Sequence, residues 1–214
     1  MLIQGIKVKI GNRLILSDIQ FELSRGVNLV LGQNGAGKTT LLRSVIQVLR
    51  GTRQGYVPSE FSSPEISVED VLLAGTRNRL RNYEPFIDSL GIRRLLGRAF
   101  STLSTGEKKL VLITKALAEG ELVFMDEPTS GLDVRNQARV ISVISSLRTE
   151  KSFLITTHDL NWIGMADWVM VMKGGKIIWQ STANELNEEV LENAYESKVK
   201  RINVDGKNIF ILNI

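Results

Sequence analysis

A glycine-rich segment, GQNGAGKTT at residues 32–40, lies between a run that predicts a strand and a run that predicts a helix. The run before it is VNLVLG, and the run after it is LLRSVIQVLR, whose apolar residues recur at helical spacing until Gly51. The segment fits the pattern G-x-x-x-x-G-K-[ST], for which strand, loop and helix is the confirming context. This order requires an α/β fold in which the loop joins a strand to the N-terminus of a helix.

The residues of this loop are those that a phosphate-binding site needs. Glycines let backbone N–H groups approach phosphate oxygens, and the helix N-terminus adds about half a positive charge. Lys38 can reach the β- and γ-phosphates, and the Thr39 hydroxyl can hold Mg²⁺. A glycine-rich turn without a ligand is the alternative, which the context disfavours. We predict that a nucleotide binds to Gly32, Gln33, Asn34, Gly35, Ala36, Gly37, Lys38, Thr39 and Thr40.

Polar side chains follow two later strand patterns at their carboxyl ends, where parallel sheets bind ligands. In ELVFMDEP, residues 121–128, the apolar run ends at Asp126, which can hold Mg²⁺. The adjacent Glu127 can polarise a water aimed at the γ-phosphate. His158, the single histidine, follows FLITT, although a histidine at the surface without a role is the alternative. We predict Glu127, His158 and Lys38 as catalytic residues.

The order of patterns along the chain predicts a parallel sheet covered by helices on both faces. Residues 2–31 are rich in strand patterns, residues 61–100 carry helical patterns only, and strands then alternate with helices. Two hairpins are expected near the C-terminus, turning at residues 174–175 and at Asp205 and Gly206.

Composition excludes several classes of protein. With 43% hydrophobic residues in 214, the chain can bury a core, and its lack of cysteine excludes disulfides and thiolate metal sites. No apolar run approaches the roughly 18 to 20 residues that cross a bilayer, so we expect a membrane role only through a partner. The net charge is +4, but Lys and Arg are scattered among acidic residues. We therefore expect no nucleic-acid partner.

The segment STLSTGEKKL, residues 101–110, predicts a helix start with Ser104 as N-cap and Glu107 completing a capping box. Gly106 in the first turn is unexpected, because Ala there would stabilise the helix by roughly 1 kcal/mol. Free N–H groups at such a helix start form an anion site. The turn is therefore expected to do more than begin a helix.

Together these motifs resemble the ATP-binding-cassette (ABC) ATPases over essentially the whole chain. The resemblance rests on GQNGAGKTT, LSTGE, LVFMDEPTSGLD and the histidine of TTHD, in that order. It implies a P-loop NTPase (RecA-like) core with a mainly parallel sheet, an N-terminal antiparallel β subdomain and an inserted α-helical subdomain. The single domain would span residues 1–214, with the β subdomain and core in 1–58 and 111–214 and the helical signature subdomain in about 59–110.

The resemblance also implies a homodimer, or a pair with a paralogous ATPase, in the ATP-bound state. Each chain would present its LSTGE turn to the ATP and Mg²⁺ bound by the other, and hydrolysis would separate the two chains. The SGLD segment, residues 130–133, would lie along the seam. The residues of the turn are Ser104, Thr105, Gly106 and Glu107.

Three positions depart from the family pattern. Thr105 replaces a glycine, so the turn should stay near helical geometry. Ser59 replaces a glutamine that contacts Mg²⁺ and the water, and it could act through a water. Ile10 replaces an aromatic residue that stacks on adenine, a contact worth roughly 1 to 3 kcal/mol, so we expect modest ATP affinity.

The outer segments, including SVEDVLLAG and VLENAYESKVK, resemble the ATPase subunits of importers for metal chelates such as iron-siderophore complexes, haem or cobalamin. This implies hydrolysis of ATP to ADP and phosphate on the cytoplasmic face of the cell membrane. Partners would be transmembrane permease subunits and, indirectly, an extracytoplasmic substrate-binding protein. Alternatives are a zinc or manganese importer, an exporter ATPase, or a soluble ABC ATPase without a transport role, whereas a P-loop kinase would leave LSTGE unexplained.

Overall fold

The computed structural model describes residues 1–204 and 207–213. The chain divides into two compact units. The first contains Met1–Gly51 and the segment from Ser152 onward, and the second contains Thr52–Lys151. The helical subdomain expected at about 59–110 lies within the second unit, and its separation from the rest of that unit stays a prediction.

The strands of the described residues are β1 (Leu2–Ile10), β2 (Arg13–Glu22), β3 (Gly26–Leu31), β4 (Gln54–Val57), β5 (Leu122–Asp126), β6 (Ser152–Thr157), β7 (Trp168–Lys173), β8 (Lys176–Thr182), β9 (Lys198–Val204) and β10 (Lys207–Asn213). The α-helices are α1 (Lys38–Val48), α2 (Val68–Leu73), α3 (Glu84–Ser89), α4 (Thr105–Glu119), α5 (Val134–Leu147) and α6 (Glu188–Tyr195). Short 3₁₀ turns lie at residues 80–82, 93–95, 100–102, 160–165 and 183–185.

The sheet of the first unit is built on β3. This strand pairs in parallel with β6 on one side and with β7 on the other, and Leu29 lies opposite both Ile155 and Val169. All six residues of β3 are buried, which explains its mainly apolar sequence. The buried Asn28 donates a hydrogen bond to the Phe153 carbonyl oxygen of β6 at 3.0 Å. β8 closes this side as an antiparallel partner of β7, so the predicted hairpin at residues 174–175 is confirmed.

Two antiparallel pairs complete the first unit. β1 pairs with β2, which confirms the N-terminal antiparallel strands, and β9 pairs with β10. The turn predicted at Asp205 and Gly206 lies outside the described residues. The α/β class with a mainly parallel sheet is thus confirmed.

In the second unit, β4 and β5 pair in parallel, and α4 packs against β4. The sequence patterns missed β4, which has four residues including Gly55. A Cβ on Gly55 would lie 2.1 Å from the carbonyl oxygen of Ala116, so only glycine allows α4 this close. From the sequence alone, a glycine within a run of four residues favours a loop, and for this reason the patterns did not predict β4.

Helices α2 and α3 confirm the helical patterns between residues 61 and 100. No helix among residues 1–204 and 207–213 is long and apolar enough to cross a membrane.

Candidate nucleotide-binding site

The glycine-rich segment connects β3 to α1, as predicted. β3 ends at Leu31 and α1 begins at Lys38. Gly37 is the residue before the helix, and its left-handed φ of 102° is a conformation that favours glycine. The N-terminus of α1 therefore adjoins the loop, where its first N–H groups can donate to a phosphate group.

Lys38 is held inside this loop. Its side chain is buried, and Nζ donates to the carbonyl oxygens of Gly32 at 2.7 Å and Gln33 at 3.2 Å. Thr39 and Thr40 are half-buried on the first turn of α1. The ammonium group and the helix N-terminus thus lie on one short segment, which suits a multiply charged anion.

Ile10 lines a cavity of about 480 Å³ beside the loop. Thr40, Arg43 and Ser44 of α1 also line it, and Ile10 is 64% exposed. Its size lies in the range of small-molecule pockets, about 300 to 1,000 Å³. Because it reaches Thr40 in the first turn of α1, it is a candidate place for a base attached to phosphates held by the loop.

His158 is exposed directly after β6, at the carboxyl end predicted for it. Its carbonyl oxygen accepts a hydrogen bond from the Tyr195 hydroxyl at 3.4 Å, and the Tyr195 carbonyl accepts one from Gln33 Nε2 at 2.5 Å. Tyr195 therefore links the phosphate loop to His158. The sequence patterns missed this residue because α6 lies far along the chain and carries no motif.

In the second unit, Asp126 ends β5 with 1% of its surface exposed. Its Oδ2 accepts a hydrogen bond from Ser59 Oγ at 2.9 Å, so these two predicted metal-site residues are in contact. Mg²⁺ prefers oxygen ligands of the hydroxyl and carboxylate type. The Asp126 carboxylate and the Thr39 hydroxyl are donors of that type and suit Mg²⁺ chemically.

Glu127 has a left-handed backbone with φ of 49°, which is uncommon for a residue other than glycine. Its carbonyl oxygen accepts the Ser130 N–H at 3.2 Å and Lys109 Nζ at 2.9 Å. Lys109 was missed because a lysine within an amphipathic helix pattern normally faces solvent.

The capping box at the start of α4 is confirmed. Ser104 Oγ accepts the Glu107 N–H at 3.3 Å, and the Glu107 carboxylate accepts the Ser104 N–H at 3.1 Å. That second bond is the main cause of the lowered pKa of Glu107, to which the Arg94 guanidinium also contributes. Thr105 is the first helical residue, in agreement with the expectation of helical geometry. Ser104 and Thr105 are exposed, so the turn is open to a ligand.

Gly106 lies against the SGLD loop of its own chain. A Cβ there would lie 3.1 Å from the Gly131 carbonyl oxygen and 3.4 Å from Leu132 Cδ2. Close packing between α4 and this loop therefore gives one reason for glycine in the first turn. Its predicted approach to a γ-phosphate stays a prediction.

The predicted residues divide between the two units. Ile10, the loop residues 32–40 and His158 belong to the first, and Ser59, residues 104–107, Asp126 and Glu127 belong to the second. Within the second unit the structure brings Ser59 to Asp126, and within the first it connects Gln33 to His158 through Tyr195.

The chain is similar to known ATP-binding proteins over most of its length. A family model described as an AAA domain matches residues 7–164. The zinc import ATP-binding protein ZnuC of Halorhodospira halophila is 36% identical, with 82% of this chain and 74% of that protein covered. The molybdate import ATP-binding protein MolC of Haemophilus influenzae is 32% identical, with 83% and 80% covered. Among solved structures, an inward-facing transporter described as metal-chelate type matches with a TM-score of 0.77 and 26% sequence identity. The match covers 92% of this chain and 91% of the chain in that structure.

Proposed function

Since this chain belongs to the ABC transporter ATP-binding proteins and is an ATPase, we propose that it uses ATP and Mg²⁺ to power import through a separate membrane permease. The observation that carries the nucleotide part is Lys38, which is buried within a glycine loop at the N-terminus of α1. The carbonyl oxygens of Gly32 and Gln33 hold its ammonium group inside the loop, next to the helix N-terminus. This concentration of positive charge suits a triphosphate.

The proposed hydrolysis gives each predicted side chain a role. Loop N–H groups and Lys38 bind the β- and γ-phosphates. The Thr39 hydroxyl and the Asp126 carboxylate are the groups that would hold Mg²⁺, and a bound Mg²⁺ would neutralise charge on the phosphate oxygens. Ser59 fixes the orientation of the Asp126 carboxylate through its hydrogen bond.

Glu127 accepts a proton from the water that attacks the γ-phosphorus. The bond between the γ-phosphorus and the bridging oxygen breaks, and ADP and phosphate leave. His158 follows β6 with its side chain exposed, and we assign it a contact with the γ-phosphate. Ile10 lines the cavity that we assign to the base.

We further propose that two copies act together. The α4 turn, residues 104–107, is exposed at Ser104 and Thr105 and presents helix N–H groups, which makes it a second anion site within the chain. Its ligand would be the γ-phosphate of ATP held by a second copy or by a paralogous ATPase. The SGLD loop, in contact with Gly106, would lie at the same seam.

For the cargo, we propose a metal ion or metal chelate, such as an iron complex or cobalamin. Support comes from a zinc importer among the relatives and a metal-chelate type transporter among the solved structures. The molybdate importer shows that similar ATP-binding proteins serve different cargos. The chain would act on the cytoplasmic face of the membrane, with permease subunits as direct partners and an extracytoplasmic binding protein as an indirect one.

The hydrolysis role is tested by Glu127→Gln. Turnover should fall by roughly 10² to 10⁴ while ATP stays bound, because the base is removed and the metal site is kept. The variant should accumulate as an ATP-bound dimer in size-exclusion chromatography. Glu65→Gln, on the exposed surface, is the matched control and should hydrolyse normally. Full turnover by Glu127→Gln would refute the role.

The transport role is tested by isolating the full chain from its native membrane. A permease pair should accompany it. Vesicles containing that complex should transport a metal chelate only when ATP is present on the side of the membrane where this chain is bound. Recovery of the chain in the soluble fraction without a permease would favour an ABC ATPase that has no transport role.

A further inference from the structure

We propose that Lys109 is a positioning residue that holds Glu127 in the orientation needed for hydrolysis. This inference rests on the proposed role of Glu127 as the base. The contact that carries it is the hydrogen bond from Lys109 Nζ to the Glu127 carbonyl oxygen at 2.9 Å.

Lys109 is buried where an apolar side chain would pack. Only 2% of its surface is exposed, and Ile113, one turn later on the same face of α4, is also buried. Burying an ammonium group costs several kcal/mol before compensation, so an apolar residue of similar size would usually stabilise the fold at least as well. Desolvation lowers the pKa of Lys109, and the carboxylates of Glu127 and Asp126 oppose that shift. Stability alone therefore does not explain a lysine here.

The accepting residue is the one in an unusual conformation. A left-handed backbone outside glycine costs roughly 1 to 2 kcal/mol and persists only where surrounding contacts hold it. At Glu127, with φ of 49°, the carbonyl oxygen accepts both the Ser130 N–H and the Lys109 ammonium. These two bonds fix the peptide after Glu127, and the peptide orientation sets the direction in which the Glu127 side chain leaves the backbone.

Lys109 also lies on the helix that begins with the exposed Ser104 turn. The distance along the axis from Ser104 to Lys109 is about 7.5 Å at 1.5 Å per residue. Gly106, between them, packs against the Gly131 carbonyl oxygen. The turn that we assign to the partner's ATP and the lysine that holds Glu127 thus belong to one rigid helix.

The test is a set of four variants of the full-length chain, with turnover, ATP affinity and thermal melting measured for each. Lys109→Met removes the donor and keeps most of the volume. Glu127→Gln tests the base itself, and the double variant tests whether Lys109 acts through it. Lys115→Met is the matched control, because Lys115 lies on the same helix and also donates to backbone carbonyls, those of Leu72 and Ala74, both at 2.8 Å.

We expect Lys109→Met to lower kcat about tenfold with ATP affinity changed less than twofold, as for a group that orients a base. In the Glu127→Gln background, Lys109→Met should have no further effect, because there is no base left to orient. Lys115→Met should lower the melting temperature and leave kcat unchanged.

Four results would overturn the proposal. Unchanged kcat for Lys109→Met, with Glu127→Gln impaired, would show that the lysine has no positioning role. An equal loss in both backgrounds, or a parallel loss of ATP affinity, would indicate a general structural effect. Full turnover by Glu127→Gln would instead remove the proposed base, and the Lys109 proposal would fall with it.

Discussion

Ser59 Oγ donates a hydrogen bond to Asp126 Oδ2 across 67 positions of the chain, at 2.9 Å. The acceptor is almost fully buried, and a hydrogen bond to a charged group is worth about 1.5 to 3 kcal/mol. The serine that replaces the family's glutamine therefore contacts the carboxylate assigned to Mg²⁺. This contact supports the proposal that Ser59 orients the Asp126 carboxylate.

Ser59→Ala should raise the Mg²⁺ concentration needed for half-maximal ATPase activity by about three- to tenfold, because the buried carboxylate loses the donor that orients it. Turnover at saturating Mg²⁺ should change less. Titration of activity with Mg²⁺ at fixed ATP measures both. Ser62→Ala, on the exposed loop nearby, is the control, and an unchanged Mg²⁺ requirement in Ser59→Ala would contradict the assigned role.

The trans arrangement predicts complementation between two inactive chains. Lys38→Ala loses the phosphate lysine and Ser104→Ala loses the capping hydroxyl of the exposed turn, so each variant alone should be nearly inactive. A mixed dimer contains one site with an intact Lys38 and an intact Ser104 from different chains. ATPase activity of the mixture should exceed the sum of the separate activities, and simple additivity would contradict the arrangement.

Ile10→Tyr should tighten ATP binding about tenfold, because an aromatic ring can stack on the base with roughly 1 to 3 kcal/mol. Ile10 has the exposure and the cavity contact that this requires. Leu14→Tyr, also exposed but on the adjacent strand, should leave affinity unchanged. Calorimetric titration measures the effect. Submicromolar binding by the unmodified chain would show that Ile10 does not weaken the site.

The capping box predicts a pH-dependent contribution to stability. The Ser104 N–H holds the pKa of Glu107 below its ordinary value of 4.5. A carboxyl whose pKa is lower in the folded chain stabilises the fold above the unfolded value, and this contribution is lost as the pH falls through the folded value. Glu107→Gln should therefore lower the free energy of unfolding by about 0.5 to 1 kcal/mol at neutral pH.

Urea unfolding at a series of pH values from 7 downward measures this difference, which should shrink as the pH falls through the lowered pKa of Glu107, because its carboxyl group then becomes protonated. A difference that is equally large at all these pH values would mean that packing of the side chain, and not its charge, stabilises the helix start.

Most elements of the fold were predictable because their signals are local. The apolar run of β3, the helical spacing of α1 and the capping box of α4 each depend on residues a few positions apart, and each is confirmed. The missed strand β4 is the instructive exception. Its glycine is explained by the Ala116 backbone, which lies far along the chain and is brought close only by packing.

The sequence by itself determined the chemistry of this protein, since glycines, Lys38 and Thr39 at fixed spacing define a phosphate loop wherever a strand enters a helix. The tertiary structure decided which groups contact the predicted site residues. It brought Ser59 to Asp126, Lys109 to Glu127 and Tyr195 to Gln33. The physical reason is the separation of these residues along the chain. The spacing of residues in the sequence specifies contacts within one helical turn or one strand, whereas these hydrogen bonds depend on how separate elements pack.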